Sequence, residues 1–142
     1  MKVRTVIFSA FLLLSGASFS QMRFMITSAM DVIKTDFKKT FDKFQGGIEI
    51  NYFPAQKISV NAGYDFWSDS KNYYAVGGRY YLFSFVFIRP RLLFNEDKMN
   101  GSLALGYKFI FHRRLSWESY FDYYFSSPEL AIRTGIAYTF TR

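Results

Sequence analysis

The sequence predicts an all-β chain: a signal peptide followed by an eight-stranded antiparallel up-and-down transmembrane β-barrel. Three observations predict it. Apolar and polar residues alternate with a period of two over stretches of about ten residues, which marks strands and contradicts helices. The connections between these stretches are short on one side and longer on the other, as in an up-and-down meander. One face of the stretches is large and uncharged, while the opposite face holds their charges together with many Gly and Ala residues.

The chain begins MKVRTVIFSAFLLLSGASFSQ. Lys2 and Arg4 form a basic start, residues 6–14 are apolar apart from Ser9, and Ser18 and Ser20 occupy the −3 and −1 positions of a cut before Gln21. This is the pattern of a secretory signal peptide. The apolar run is well short of the roughly 20 residues needed to span hydrocarbon as a helix. Residues 1–20 are therefore assigned to the signal peptide and residues 21–142 to one barrel domain. Removal of Lys2 and Arg4, with no acid removed, lowers the net charge from +7 to +5. In an exported chain, that excess favours anionic lipid or lipopolysaccharide phosphate over nucleic acid as a partner. Cysteine is absent, which excludes a lipidated cysteine, a disulfide and a thiolate metal site.

The strands follow in order. MRFMITSAMDV is the candidate first strand, with Phe24, Ile26, Met30 and Val32 opposing Arg23, Thr27, Ala29 and Asp31; Met25 and Ser28 break its alternation. GGIEINYF sets Ile48, Ile50 and Tyr52 against Gly47, Glu49 and Asn51, and ISVNAGYDFW sets Val60, Ala62 and Tyr64 against Ser59, Asn61, Gly63 and Asp65. YYAVGGRYYL carries Arg79 on its small face. FVFIRPRLLF carries Arg89 and Arg91, with Pro90 between them demanding a bulge or a local break in the ladder. GSLALGYKF carries Lys108, LSWESYFDYYF carries Glu118 and Asp122, and the closing stretch AIRTGIAYTF carries Arg133.

Alternation alone permits two opposite barrels. A soluble lipocalin-like barrel turns its apolar face inward around a ligand, whereas a membrane barrel turns it outward into lipid. Gly63, Ala75, Gly77, Ala104, Gly106, Ala131, Gly135 and Ala137 favour the second, because an eight-stranded lumen is only just wide enough for side chains. The charges on that face also balance. Asp31, Glu49, Asp65, Glu118 and Asp122 oppose Arg23, Arg79, Arg89, Arg91, Lys108 and Arg133, a set suited to an internal ion-pair network. Aromatic residues crowd the strand ends. Phe53, Tyr80, Trp117 and Tyr138 are expected in a girdle at the short-turn side, and Phe66, Trp67, Tyr73 and Phe125 in one at the long-loop side.

The segment Arg133 to Phe140, with Gly135, Tyr138 and Phe140 at its fixed positions, resembles the C-terminal assembly signal of bacterial outer-membrane proteins. That resemblance implies delivery to the outer-membrane insertion machinery; the Thr141–Arg142 tail departs from family members that end on the aromatic. The mature chain resembles the small eight-stranded outer-membrane barrels of the OmpA/OmpX-like group. GGIEINYF, GYDFW and IRTGIAYTF are most similar to short outer-membrane β-barrel proteins of Bacteroidetes-type bacteria. The resemblance implies the outer membrane of a Gram-negative cell and contact with its lipid and lipopolysaccharide; a monomer is the accompanying expectation.

Some small barrels of this kind modify lipid A with a His, a Ser and an acid near the outer rim. The one histidine here, His112, falls in a turn expected on the periplasmic side, with Ser116 and Glu118 nearby. That is the wrong side for the outer leaflet, so no catalytic residue, cofactor or metal site is expected. Lys34, Lys38, Lys39 and Lys43 in the first loop are the candidate contacts for lipopolysaccharide phosphate. The expected role is therefore a non-enzymatic, plugged envelope barrel. A lipocalin-like binding barrel and a lipid A-modifying enzyme are the alternatives.

Overall fold

The computed structural model describes residues 23–35, 45–68, 72–126 and 128–141. The expected signal peptide lies outside the described residues. Eight strands form: β1 (Arg23–Lys34), β2 (Gln45–Ala55), β3 (Ile58–Trp67), β4 (Tyr73–Tyr81), β5 (Val86–Phe94), β6 (Met99–Ile110), β7 (Leu115–Tyr124) and β8 (Glu129–Thr141). Each pairs antiparallel with its sequence neighbours, and β8 pairs back to β1 to close the barrel. Closure leaves no sheet edge unpaired.

The polarity of the barrel is inverted relative to a soluble one. Ile48, Ile50, Val60, Val76, Leu103, Leu105, Phe121, Ile132 and Ile136 stand outside and exposed. Asp31, Glu49, Asp65, Arg79, Arg89, Arg91, Glu118, Asp122 and Arg133 stand inside and buried. This arrangement contradicts the lipocalin-like alternative, which needs the apolar face inward. Small inward residues make the room. A β-carbon added at Gly106 would overlap the Phe87 ring, and one at Gly47 would overlap the Asp65 carboxylate. These glycines are the spaces that their large neighbours fill.

β1 is more regular than its sequence suggests. Met25, Thr27, Ala29 and Asp31 face in, whereas Phe24, Ile26 and Ser28 face out. Met25 and Ser28 keep the alternation; they exchange the polarity expected of each face, Met25 being wholly buried in the lumen. The real irregularity comes later, where the β1–β8 register shifts between Asp31 and Ile33. The extra residue, Val32, resets the parity, so Ile33 faces out and Lys34 faces in.

Pro90 breaks the ladder without a bulge. The β4–β5 pairing runs from Tyr74↔Phe94 to Gly77↔Arg91 and resumes at Tyr80↔Ile88, with the register unchanged across the gap. Proline has no N–H to give to β4, and the residue that stands opposite it in that register is Gly78. On the other side Pro90 still aligns with Leu103 of β6. The tightest connection, residues 56–57, joins β2 to β3 at the same end as residues 82–85 and 111–114. β1, β3, β5 and β7 end, and β2, β4, β6 and β8 begin, at the opposite end, where residues 95–98 form the β5–β6 turn. At residues 95–98 the Asn95 side chain accepts hydrogen bonds from the backbone N–H of Asp97 and Lys98 at 3.0 and 2.7 Å, closing an Asx turn.

Candidate functional site

The lumen holds one continuous chain of alternating charge. Beginning at Glu118, it passes to Arg79 (2.9 Å), then Glu49 (2.6 Å), Arg89 (3.4 Å), Asp122 (2.8 Å), Arg91 (3.3 Å), Asp65 (3.4 Å), Arg133 (3.1 Å) and Asp31 (2.6 Å). Each of the four arginines in it lies between two carboxylates. The two chain ends are carboxylates with one arginine each, and both accept a further hydrogen bond from a tyrosine. Tyr120 donates to Glu118, and Tyr124 donates to Asp31 at 3.4 Å.

The geometry explains why arginine and not lysine supplies the cations. Arg79 reaches Glu49 through Nε and Nη2 and Glu118 through Nη1, and its Nη2 also reaches Thr27 Oγ1 at 3.3 Å. One planar group thus links β4 with β1, β2 and β7 through several directed donors, which a lysine ammonium cannot reproduce. The aromatic lining completes the environment. The Arg89 guanidinium lies 4.1 Å from the Tyr120 ring centre, and that of Arg79 lies 4.9 Å from Phe87.

Nine of the eleven residues expected in the network are in this chain. The other two are not. Lys108 faces its cross-strand neighbour Glu118, but the contact its ammonium makes is with Met25 Sδ at 3.5 Å. Arg23 is exposed at the start of β1 and forms no ion pair with a described residue. Its place at the strand end, beside the open mouth, keeps it in solvent.

Lys34 corrects the loop reading. It was expected beside Lys38, Lys39 and Lys43 as a surface contact, but the bulge at Val32 turns it into the lumen. There it is buried, 2.6 Å from Glu129, and donates to Gln45 Oε1 at 3.1 Å. Its ammonium also lies 4.4 Å from the Trp67 ring centre. Lys38, Lys39 and Lys43 lie outside the described residues. Trp67 and Tyr73, expected in the long-loop girdle, instead turn inward and pack on one another, with Trp67 against Tyr124. Phe53, expected in the short-turn girdle, likewise packs inward on Tyr81. Lys34, Gln45 and Glu129 are functional-looking residues that the sequence pattern does not announce. The bulge that aims Lys34 would be visible only as the broken alternation of Asp31-Val32-Ile33-Lys34.

His112 is in the exposed turn, Ser116 is buried with its hydroxyl 3.5 Å from the Ala137 carbonyl, and Glu118 is held by Arg79 and Tyr120. At the C-terminal segment Gly135 faces inward, while Tyr138 and Phe140 face outward as an edge-to-face pair with ring centres 4.7 Å apart. Phe140 pairs with Phe24 and Tyr138 with Ile26 across the closing seam.

Solved structures share this architecture. The chain superposes on a de novo designed transmembrane β-barrel with a TM-score of 0.69 at 17% identity, over 83% of this chain and 95% of that one. A second designed barrel, TMB2.3, gives 0.60 at 15% identity over 82% and 92%. The N-terminal β-barrel domain of Pseudomonas aeruginosa OprF gives 0.58 at 13% identity over 83% and 97%. No protein-family model matches the chain, and no curated protein matches its sequence. At these identities the likeness is one of fold: a small closed antiparallel β-barrel.

Proposed function

We propose that the chain is a small, non-enzymatic, monomeric outer-membrane barrel of a Gram-negative envelope, with a plugged lumen and a structural or envelope-interaction role. The observation that carries this reading is the inverted polarity. An exposed belt of Ile, Val, Leu and aromatic side chains surrounds a buried chain of nine alternating charges. Water would penalise that exterior, and lipid accommodates it. Tyr138 and Phe140 on the outer face of β8 support recognition by the outer-membrane insertion machinery. Lipopolysaccharide and lipid are the partners this reading supplies, with Lys38, Lys39 and Lys43 as the loop contacts, whereas Lys34 is buried against Glu129.

The reading is tested by separating the membranes of expressing cells by density and following the protein by immunoblot. The protein is expected in the outer-membrane fraction, and recovery in the soluble periplasmic fraction would overturn the proposal. Orientation follows from the same reading, with the short turns in the periplasm. The chain has no cysteine of its own, so single cysteines at Lys98 and Gln56 report each end. An impermeant thiol reagent on intact cells should label the cysteine at position 98 and spare the one at 56; the reverse pattern would invert the topology.

A further inference from the structure

The short-turn mouth of the barrel has a charge character unlike the rest of the lumen. A cavity of about 440 Å³ opens there, and its wall includes Arg23, Lys57 and Lys108 but no Asp or Glu. The asymmetry extends beyond the cavity. The neighbouring turn adds Arg113 and Arg114, and the three turns at this end, residues 56–57, 82–85 and 111–114, carry no acid. Elsewhere in the lumen each arginine has two carboxylates within 4 Å.

Two inward groups at this mouth have unused hydrogen-bonding capacity. Lys108 is half-buried, and its ammonium contacts a thioether sulfur, a weak acceptor. The acid opposite it, Glu118, is already bound by Arg79 and Tyr120. Tyr81 is buried in the cavity wall, 7% exposed, and its hydroxyl makes no hydrogen bond of ordinary geometry to a described residue. A phosphate oxygen would accept from both, and charge-assisted hydrogen bonds of that kind are the strong ones.

The apolar part of the wall indicates how the phosphate would arrive. Phe83 and Ile110 belong to the same cavity and are among the most exposed apolar residues of the barrel, at 63% and 60%. They join the charged mouth to the apolar outer belt. We propose that the short-turn mouth binds the phosphate of an anionic phospholipid from the adjoining leaflet. Lys108, Lys57 and Arg23 meet the phosphate, Tyr81 donates to it, and the acyl chains lie over Phe83 and Ile110. This site rests on the membrane-barrel reading and lies at the opposite end of the barrel from the β5–β6 turn that carries Lys98.

The test uses the full mature chain refolded in detergent, with native mass spectrometry in the presence of phosphatidylglycerol or phosphatidylcholine. Wild type should retain phosphatidylglycerol in preference to phosphatidylcholine. Lys108→Gln should reduce that retention by roughly tenfold, the worth of one charge-assisted hydrogen bond. Lys57→Gln, in the exposed turn, should reduce it as well without touching the lumen, which keeps the test valid if Lys108→Gln does not fold. Lys98→Gln at the other end should change nothing. Excess inorganic phosphate separates the sources: bound lipid that resists displacement supports the lipid-borne group, whereas displacement with phosphate retained would overturn the lipid in favour of a soluble anion. Equal retention of both lipids, unchanged in the two variants, would overturn the site. Flotation of the protein with phosphatidylcholine vesicles scores insertion separately. Failure to float defeats the membrane reading itself, and insertion without lipid preference defeats only the site.

Discussion

At the residue scale, the energetics of the lumen depend on which charges have partners. Arg79 is buried between Glu49 and Glu118, so replacing it with Leu leaves two buried carboxylates facing fewer cations. Removing one partner of a buried pair typically costs about 3–5 kcal/mol, because the uncompensated charge remains behind. Arg23→Leu removes an exposed charge with no ion-pair partner among the described residues and should stay within about 0.5 kcal/mol of wild type. Urea unfolding in liposomes, read by tryptophan fluorescence, checks the contrast; equal midpoints would mean that the ion-pair chain contributes nothing to stability. Gly106 tests the steric side of the same packing. Its missing side chain accommodates the Phe87 ring, so Gly106→Val should destabilise by about 1–3 kcal/mol through overpacking. Adding Phe87→Ala should recover part of that loss. A double variant no better than the sum of its two single changes would show that the two residues do not share the space.

At the element scale, the outer face of each strand is exchangeable among apolar residues but intolerant of charge. Leu105, in the middle of β6, is 55% exposed on the exterior, while its neighbour Ala104 is buried inside. If that exterior meets lipid, Leu105→Arg should cost about 2–4 kcal/mol, and Ala104→Ser should be mild. Folding yield into liposomes, followed by the heat-modifiable shift on a gel, measures both; a Leu105→Arg barrel that inserts as well as wild type would reverse the facing assignment. The strands were legible in the sequence because a period of two leaves its mark on every residue. The inward placement of Arg79, Arg89, Arg91, Glu118 and Arg133 followed directly from it. What the sequence concealed are the local departures from that period. Val32 inserts one residue opposite β8 and sends Lys34 inward, away from the loop to which its neighbours in sequence assigned it. Trp67 ends β3 and Tyr73 begins β4, at strand ends where aromatic character suits a girdle or a lumen cap equally well, and only the parity from Asp65 places Trp67 inside. Deleting Val32 should return Lys34 to the exterior and separate it from Gln45 and Glu129. The readout is reactivity of Lys34 toward an amine reagent, on a background in which the exposed Lys57 and Lys98 are arginine. Increased modification is the expected outcome, and unchanged protection would mean that the bulge does not aim the side chain.

At the scale of the whole molecule, the connectivity of the ion pairs decides whether the barrel can conduct. Glu118 is on β7, Arg79 on β4, Glu49 on β2, Arg89 and Arg91 on β5, Asp122 on β7, Asp65 on β3, Arg133 on β8 and Asp31 on β1. The chain therefore crosses the lumen repeatedly instead of lining one wall, tying seven of the eight strands together. Tyr120, Tyr124 and Phe87 fill positions between its members. Lys34 with Glu129, beneath Trp67 and Tyr73, adds a second polar and aromatic layer towards the long-loop end. An eight-stranded barrel is wide enough for packed side chains and little else. An ion entering here would have to displace charges that already neutralise one another in a poorly hydrated interior, where such interactions are stronger than at a wet surface. Wild type in a planar bilayer should accordingly show no steady porin-like conductance. Truncating one link should not open a wide path, because the chain crosses the lumen at several levels: Arg133→Ala removes the Asp65–Asp31 link but leaves Arg79, Arg89 and Arg91 in place. Replacing Arg79, Arg89 and Arg91 together by Ala should either abolish folding or produce conductance in the barrels that do fold. Large, steady conductance from the unaltered protein would show that the ion-pair chain does not seal the lumen, and would move the proposed role from structure to transport.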